Sequence, residues 1–137
     1  MSLSADLAAL HATAFDGASR WSEGAFEAAL TDPRCFFSLH ETQGRLTGFA
    51  LGRVIADEAE LLTLVVAIGD RRTGTGRHLV QAFEMAAAER GAQTVFLEVS
   101  AENAPARRLY ERAGWRTVGQ RSGYYEGVDA LTMRKDL

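Results

Sequence analysis

The stretch Leu97-Glu98-Val99-Ser100-Ala101-Glu102-Asn103-Ala104-Pro105-Ala106-Arg107-Arg108-Leu109-Tyr110-Glu111-Arg112-Ala113-Gly114-Trp115 reads as an apolar strand running into a short helix. The strand, Thr94 to Ser100, turns Val95, Leu97 and Val99 to one face and Phe96, Glu98 and Ser100 to the other. Asn103 suits the cap of a helix beginning at Ala104, Pro105 is tolerated in its first turn, and Gly114 suits its end. One carboxylate on the strand, Glu98, and one tyrosine on the helix, Tyr110, form a candidate acid-base pair. Upstream, Arg71-Arg72-Thr73-Gly74-Thr75-Gly76-Arg77 is a glycine-rich basic loop leading directly into an amphipathic helix.

Working outward, that helix spans Thr75 to Arg90, with Leu79, Val80, Phe83, Ala86 and Ala87 on one face and Gly91 beyond its end. Glu60 to Ile68, rich in Leu and Val, fits a central strand interrupted at Gly69. Cys35 to Glu41 and Arg45 to Ile55 flank Thr42-Gln43-Gly44 and read as a hairpin. At the amino-terminal end, Ser4 is the expected cap of a helix carrying Leu7, Leu10 and Ala14 and stopped by Asp16-Gly17. Ser22 caps a second helix carrying Phe26, Ala29 and Leu30 and closed by Thr31-Asp32-Pro33. The tail from Trp115 to Lys135 reads as two strands. The expected fold is thus α/β (α+β), with about four helices and about six strands in a single domain spanning 1–137.

Composition narrows the function. A 137-residue chain that is 47% hydrophobic can build its own core. A net charge of −3 argues against general nucleic-acid affinity, although the loop arginines concentrate positive charge locally. No stretch approaches the length of a membrane span, the start lacks a secretion signal, and Cys35 has no second cysteine to pair with, so the cytoplasm is the expected compartment. His11, His40 and His78 are scattered, which leaves no metal-ligand spacing.

Each chemical signal has a plain structural alternative. The glycines before the helix can relieve backbone strain in a turn, or can let a pyrophosphate approach the unpaired N–H groups of the helix start, with Arg71, Arg72 and Arg77 adding charge. Neither a G-x-G-x-x-G dinucleotide fingerprint nor a Gly-Lys-Ser/Thr phosphate loop is present. Glu98 reads either as a solvated charge or as a carboxylate on a strand covered on both faces, where it needs a partner or a use. Tyr110, four residues before the helix-ending glycine, is either core packing or a proton donor.

Arg71-x-x-Gly74-x-Gly76 resembles the Q/R-x-x-G-x-G/A loop with which GCN5-related N-acetyltransferases hold the pyrophosphate of acetyl-CoA. Leu97-Glu98-Val99, Asn103, Ala106, Leu109-Tyr110-Glu111 and Gly114, followed by Arg121 and Tyr124-Tyr125, look like the bacterial ribosomal protein alanine N-acetyltransferases, the RimI group of that family. The likeness runs from Ala14-Phe15 and Trp21-Ser22-Glu23 to Asp129-Ala130 and Met133.

This resemblance implies a mixed sheet splayed between its two central strands around acetyl-CoA, with Glu98 as general base and Tyr110 as general acid. Asn103 would touch the cofactor, and Leu64, Val65 and Val66 would offer backbone groups to the acetyl-pantetheine arm. Arg71, Arg72, Thr73, Gly74, Thr75, Gly76 and Arg77 would lie at the phosphates, while Trp21, Tyr124 and Tyr125 would border the acceptor. The implied acceptor is the N-terminal alanine of a small-subunit ribosomal protein, with no metal involved. Acetylation of a small-molecule amine, or an acyl-CoA-binding module without turnover, are the alternatives. The sequence departs from the family pattern at Ala67-Ile68, where Asp-Pro is usual, at Thr63, where asparagine is common, and at Ser100, often an arginine. The family's usual first strand has no expected counterpart and the turn after Tyr124-Tyr125 is short, only Glu126-Gly127-Val128 before Asp129, so a more open acceptor groove is expected.

An elementary pKa argument favours an α-amine acceptor. Its reference pKa of about 7.7–8.0 makes the neutral form cost only about 1–1.4 kcal/mol at pH 7, against about 4–5 kcal/mol for a lysine at about 10.4. A direct attack needs no covalent enzyme intermediate, so Cys35 is expected to be a bystander.

Overall fold

The computed structural model describes residues 2–15, 17–125 and 127–137, leaving aside the side chains of residues 18 and 125. Asp16 at the first helix stop, Glu126 in the last turn and the side chain of Tyr125 thus lie outside the described residues. The described elements are helices α1 (Leu3–Ala12), α2 (Glu23–Thr31), α3 (Thr75–Glu89) and α4 (Ala104–Arg112). The strands are β1 (Cys35–Thr42), β2 (Arg45–Ile55), β3 (Glu58–Val66), β4 (Thr94–Ser100), β5 (Arg116–Tyr125) and β6 (Val128–Asp136). Short 3-10 turns, not expected from the sequence, stand at Gly17–Ser19 and Ile68–Asp70.

The strands form one mixed sheet in the order β1-β2-β3-β4-β6-β5, in which β3 and β4 are the parallel pair. The β1–β2 hairpin closes on Gln43 and Gly44, with φ of 52° and 77°, the positive angles that a two-residue turn between twisted strands requires. Helices lie on both faces. Against one, α3 and α4 bury Leu79, Val80, Phe83 and Tyr110 with Phe36, Leu61, Val95, Leu97 and Trp115. Against the other, α1 and α2 bury Leu7 and Phe26 with Phe49, Leu51 and Val65. Cys35 packs beside this second cluster, where burial pushes its thiol pKa up, as suits a bystander.

Several boundaries differ from the sequence reading, among them the end of β1, which runs to Thr42. Ser2, not Ser4, caps α1 by accepting from the Ala5 N–H, because burial of Ser4, Leu7 and His11 on one stripe fixes the phase of the helix. Ala14 falls beyond the Thr13 cap. Strand β3 starts at Glu58, across a tight turn from Ile55, and stops at Val66, where the chain leaves the sheet and exposes Ile68 to 69%. Helix α3 ends one residue early, at Glu89.

The site is set by two irregularities in the centre of the sheet. Strands β3 and β4 pair only from Glu58–Thr94 to Leu61–Leu97, after which β3 continues with β2 to Val66 and β4 with β6 to Ser100. The sheet therefore splits between them. At the same point Leu51 pairs with Thr63 and Gly52 with Leu61, which leaves Leu62 as a bulge in β3. The extra residue reverses the alternation, so Leu61 joins the α3 side while Val65 joins the α1 side.

Candidate active site

The split opens into a cleft of about 720 Å³. Its walls come from β3 (Glu60 to Leu64), β4 (Leu97 to Ser100), α4 (Asn103, Ala106, Tyr110), the α1–α2 segment (His11, Phe15, Ser19, Trp21) and Tyr124 of β5. A second, shallower cleft of about 630 Å³ shares Glu60, Leu97 and Glu98 with it and continues over Phe96 and Thr132. Trp21, Leu64, Glu98, Asn103, Tyr110 and Tyr124, scattered over the sequence, thus line one cavity.

Glu98 stands at the junction. Its strand alternates as expected, with Val95, Leu97 and Val99 buried, but the opposite face is half buried rather than covered. The physical reason is that the α1–α2 cluster packs on β2 and β3, leaving this face of β4 to the clefts. The carboxylate is 23% exposed; Oε1 lies 3.3 Å from Arg121 Nη2, and Oε2 is buried without a hydrogen-bond partner. Arg121 in turn lies over the Tyr124 ring, 4.5 Å from its centre. Between Arg121 and Tyr125 strand β5 leaves its register with β6, and Asp129 Oδ1 accepts from the Gly123 N–H at 2.9 Å. This kink brings Tyr124 to the cleft.

Tyr110 packs in the core and also lines the cleft. Its ring packs on Trp115, with ring centres 5.8 Å apart, and the residue is only 7% exposed while lining the cleft. Burial raises its phenol pKa well above the ordinary value, so the hydroxyl stays protonated through the neutral range. Asn103 caps α4 by accepting from the Ala106 N–H at 3.2 Å, and the same residue borders the cleft.

The basic loop follows β3 and runs into α3, and its residues are not among those that line the cleft. Gly74 caps α3 in a left-handed conformation, φ 88°, with no side-chain cap on the helix N–H groups and open space where a Cβ would stand. Gly76 has a packing reason as well, since a Cβ there would stand 3.3 Å from Leu109 Cδ2 of α4, next to Tyr110. The contact joins the loop to the cleft. Arg71 Nε donates to the Val66 carbonyl at 3.0 Å, Arg72 adopts φ 63°, and Thr73 and Thr75 share a hydrogen bond of 3.0 Å. Arg77 is in the first turn of α3. Of the three β3 residues expected beside a pantetheine arm, Leu64 lines the cleft, Val65 is buried on the α1 side, and Val66 approaches Gly76. Among the described residues β3 has no strand partner on its β4 side from Leu62 to Val66, so backbone groups there are open, apart from the Val66 carbonyl taken by Arg71.

Sequence reasoning gave no role to His11, singled out Thr63 only as a departure from the family pattern that bears on acceptor contacts, and used Arg121 only as part of the resemblance. His11 is 1% exposed and stacks on Phe15, 4.3 Å between ring centres; its Nδ1 accepts from the Trp21 N–H at 3.2 Å and Nε2 bonds to Thr63 Oγ1 at 3.1 Å. Burial, aided by Arg20, lowers its pKa to about 4. A histidine on the apolar stripe of α1, four residues after Leu7, is the available sequence signal, but its partners lie too far along the chain to be read locally. Among the described residues no cluster of His, Cys, Asp or Glu is placed to hold a metal ion, and no helix is long and apolar enough to cross a membrane.

A mixed sheet split between its two parallel strands, with a glycine-capped helix start following one of them and Glu98 and Tyr110 lining the cleft between them, has the layout expected of an acyl-group transferase. Residues 5–115 match the acetyltransferase (GNAT) family, and the chain belongs to that family. It is 36% identical over 135 residues to the N-alpha-acetyltransferase RimI of Mycobacterium tuberculosis, covering 94% of this chain and 84% of that protein. It is 35% identical over 109 residues to the ribosomal protein bS18-alanine N-acetyltransferase of Escherichia coli, covering 80% and 73%. The crystal structure of the Escherichia coli ribosomal-protein-S18-alanine N-acetyltransferase superposes with a TM-score of 0.84 at 31% identity, covering 99% of this chain and 90% of that one. The protein is an acetyl-CoA-dependent N-acetyltransferase.

Proposed function

We propose that the acceptor is the N-terminal α-amine of a protein, in particular the N-terminal alanine of a small-subunit ribosomal protein, and that Glu98 and Tyr110 handle the protons. The observation that carries this reading is that Glu98 of β4 and Tyr110 of α4 line one cleft where β3 and β4 part. The acceptor class is supported by relatives named for alanine transfer on ribosomal protein bS18. It is also supported by the low cost of neutralising an α-amine beside a single carboxylate, about 1–1.4 kcal/mol at pH 7.

The residues present fit acetyl-CoA. The open, left-handed Gly74 and the uncapped N–H groups of α3 suit its phosphates, with Arg71, Arg72 and Arg77 nearby. The free edge of β3 from Leu62 to Val66 suits the arm, and Asn103 borders the same path. In this reading the amine attacks the thioester carbonyl, Glu98 takes the proton the amine sheds, and the C–S bond breaks. Tyr110, held protonated by burial, donates to the departing thiolate and recovers its proton from solvent. Arg121 holds one oxygen of Glu98, and Trp21 and Tyr124 flank the acceptor.

The test is incubation with acetyl-CoA and two peptides, one with a free N-terminal alanine and one with that alanine blocked, each with an internal lysine. Acetyl mass gain at the free α-amine alone is expected. Gain on lysine in both peptides overturns the acceptor assignment, and gain on neither peptide points to small amines.

A further inference from the structure

The buried network at the amino-terminal edge of the cleft serves no purpose in the mechanism above, yet it reaches the reaction side. The backbone N–H of Trp21 can only donate, so His11 Nδ1 is its acceptor and the ring proton of the neutral imidazole sits on Nε2. A pKa lowered to about 4 keeps the ring neutral through the neutral range, and the Trp21 contact keeps it in this tautomer. Nε2–H therefore donates to Thr63 Oγ1, which occupies one lone pair of that hydroxyl and leaves its own proton to be given elsewhere.

Thr63 is the first residue after the Leu62 bulge, on the part of β3 that has parted from β4, and it lines the same cleft as Glu98. The pairing of β3 with β4 ends at Leu61 with Leu97, so Thr63 and Glu98 stand two residues and one residue beyond it on the two parting strands. Glu98 in turn presents Oε2, a buried acceptor with no partner, while Oε1 is engaged by Arg121. A buried carboxylate oxygen left unsatisfied is costly, and a donor-oriented hydroxyl on the facing wall is its complement.

We propose that Thr63, oriented by His11, and Glu98 Oε2 together hold the water molecule through which the acceptor amine loses its proton. Thr63 donates to the water oxygen, and the water donates to Oε2. As the amine nitrogen bonds to the thioester carbon, its surplus proton passes to the water and one water proton passes to Oε2. The C–S bond breaks, the sulfur takes the Tyr110 proton, and both side chains are reset by exchange with solvent. Thr63 and His11 are thus positioning residues, a step beyond the Glu98 reading on which they rest. Thr63 also stands where the family pattern places asparagine, another small donor.

The experiment compares Thr63→Val, Thr63→Ser, His11→Gln and Glu98→Gln with the unaltered enzyme, using acetyl-CoA and the alanine peptide. Thr63→Val is expected to lower kcat by roughly tenfold or more with the KM for acetyl-CoA unchanged, and Thr63→Ser to restore kcat to within about twofold. In the Thr63→Val background, His11→Gln is expected to lower kcat no further, because its effect runs through the missing hydroxyl. Retention of kcat by Thr63→Val, or equal loss in Thr63→Val and Thr63→Ser at matched melting temperature, overturns the proposal. Collapse of Glu98→Gln alongside either result confines that failure to Thr63, whereas full activity of Glu98→Gln overturns the base assignment itself.

Discussion

At the scale of single residues, the site owes its chemistry to how far each group is removed from water. Tyr110 is a phenol that burial keeps protonated, and Glu98 is a carboxylate with one oxygen ion-paired and one held in reserve. Replacing Tyr110 with Phe removes the donor while keeping the ring on Trp115, so we expect kcat to fall by roughly 10²-fold with a nearly unchanged melting temperature, measured by peptide acetylation and thermal denaturation. His11 gives a stability prediction with a definite sign. Its pKa of about 4 in the folded chain lies below the ordinary 6.5, so the unfolded chain binds more protons between those values. This contribution is complete above about pH 6.5 and is lost as pH falls toward 4, by up to about 3 kcal/mol in all. Urea unfolding at pH 7 and pH 4.5 checks it, and replacing His11 should flatten the dependence.

At the scale of elements, small departures from regularity place the groups. The Leu62 bulge reverses the facing of β3, the kink of β5 at Gly123 carries Tyr124 inward, and the left-handed Gly74 leaves the start of α3 open. Gly52 in β2 serves the sheet differently. It lies under the stacked rings of Phe36 and Phe83, and a Cβ there would fall 2.5 Å from Phe36 Cζ and 2.6 Å from Phe83 Cε1. Gly52→Ala must displace two interlocked aromatic rings, and a loss of roughly 1–3 kcal/mol is expected, measured by denaturant unfolding. Acetyl-CoA affinity per folded molecule should persist, because Phe36, Gly52 and Phe83 are not among the residues that line the cleft.

At the scale of the whole molecule, the two halves of the split sheet are rejoined on the α3 side by Glu84. Its Oε2 accepts from Trp115 Nε1 at 3.1 Å and its Oε1 from Lys135 Nζ at 2.6 Å, while Lys135 also donates to the Ala113 carbonyl at 2.7 Å. One carboxylate thereby ties α3 to β6 and to the end of α4, the element that carries Tyr110. Glu84→Ala takes the acceptor from the buried Trp115 indole and leaves Lys135 with only the Ala113 carbonyl, and we expect a loss of about 2–3 kcal/mol together with a lower kcat, read from thermal melting and peptide acetylation.

The sequence by itself determined the local structure and the candidate chemistry. Periodicity, caps and turn residues are set within a few residues, and so α2, α4, the β1–β2 hairpin and the buried stripe of α3 were legible, as were Glu98 and Tyr110 on their strand and helix. Capping choices between near neighbours were not, since Ser2 and Ser4 are equally competent until packing fixes the phase of α1. Only the tertiary structure decided that Arg121 would meet Glu98, that His11 would reach Thr63 across 52 positions, and that β3 and β4 would part at Leu61. Those outcomes depend on strand register and on a bulge, which arise from the balance of packing on both faces of the sheet and leave no pattern in any one segment.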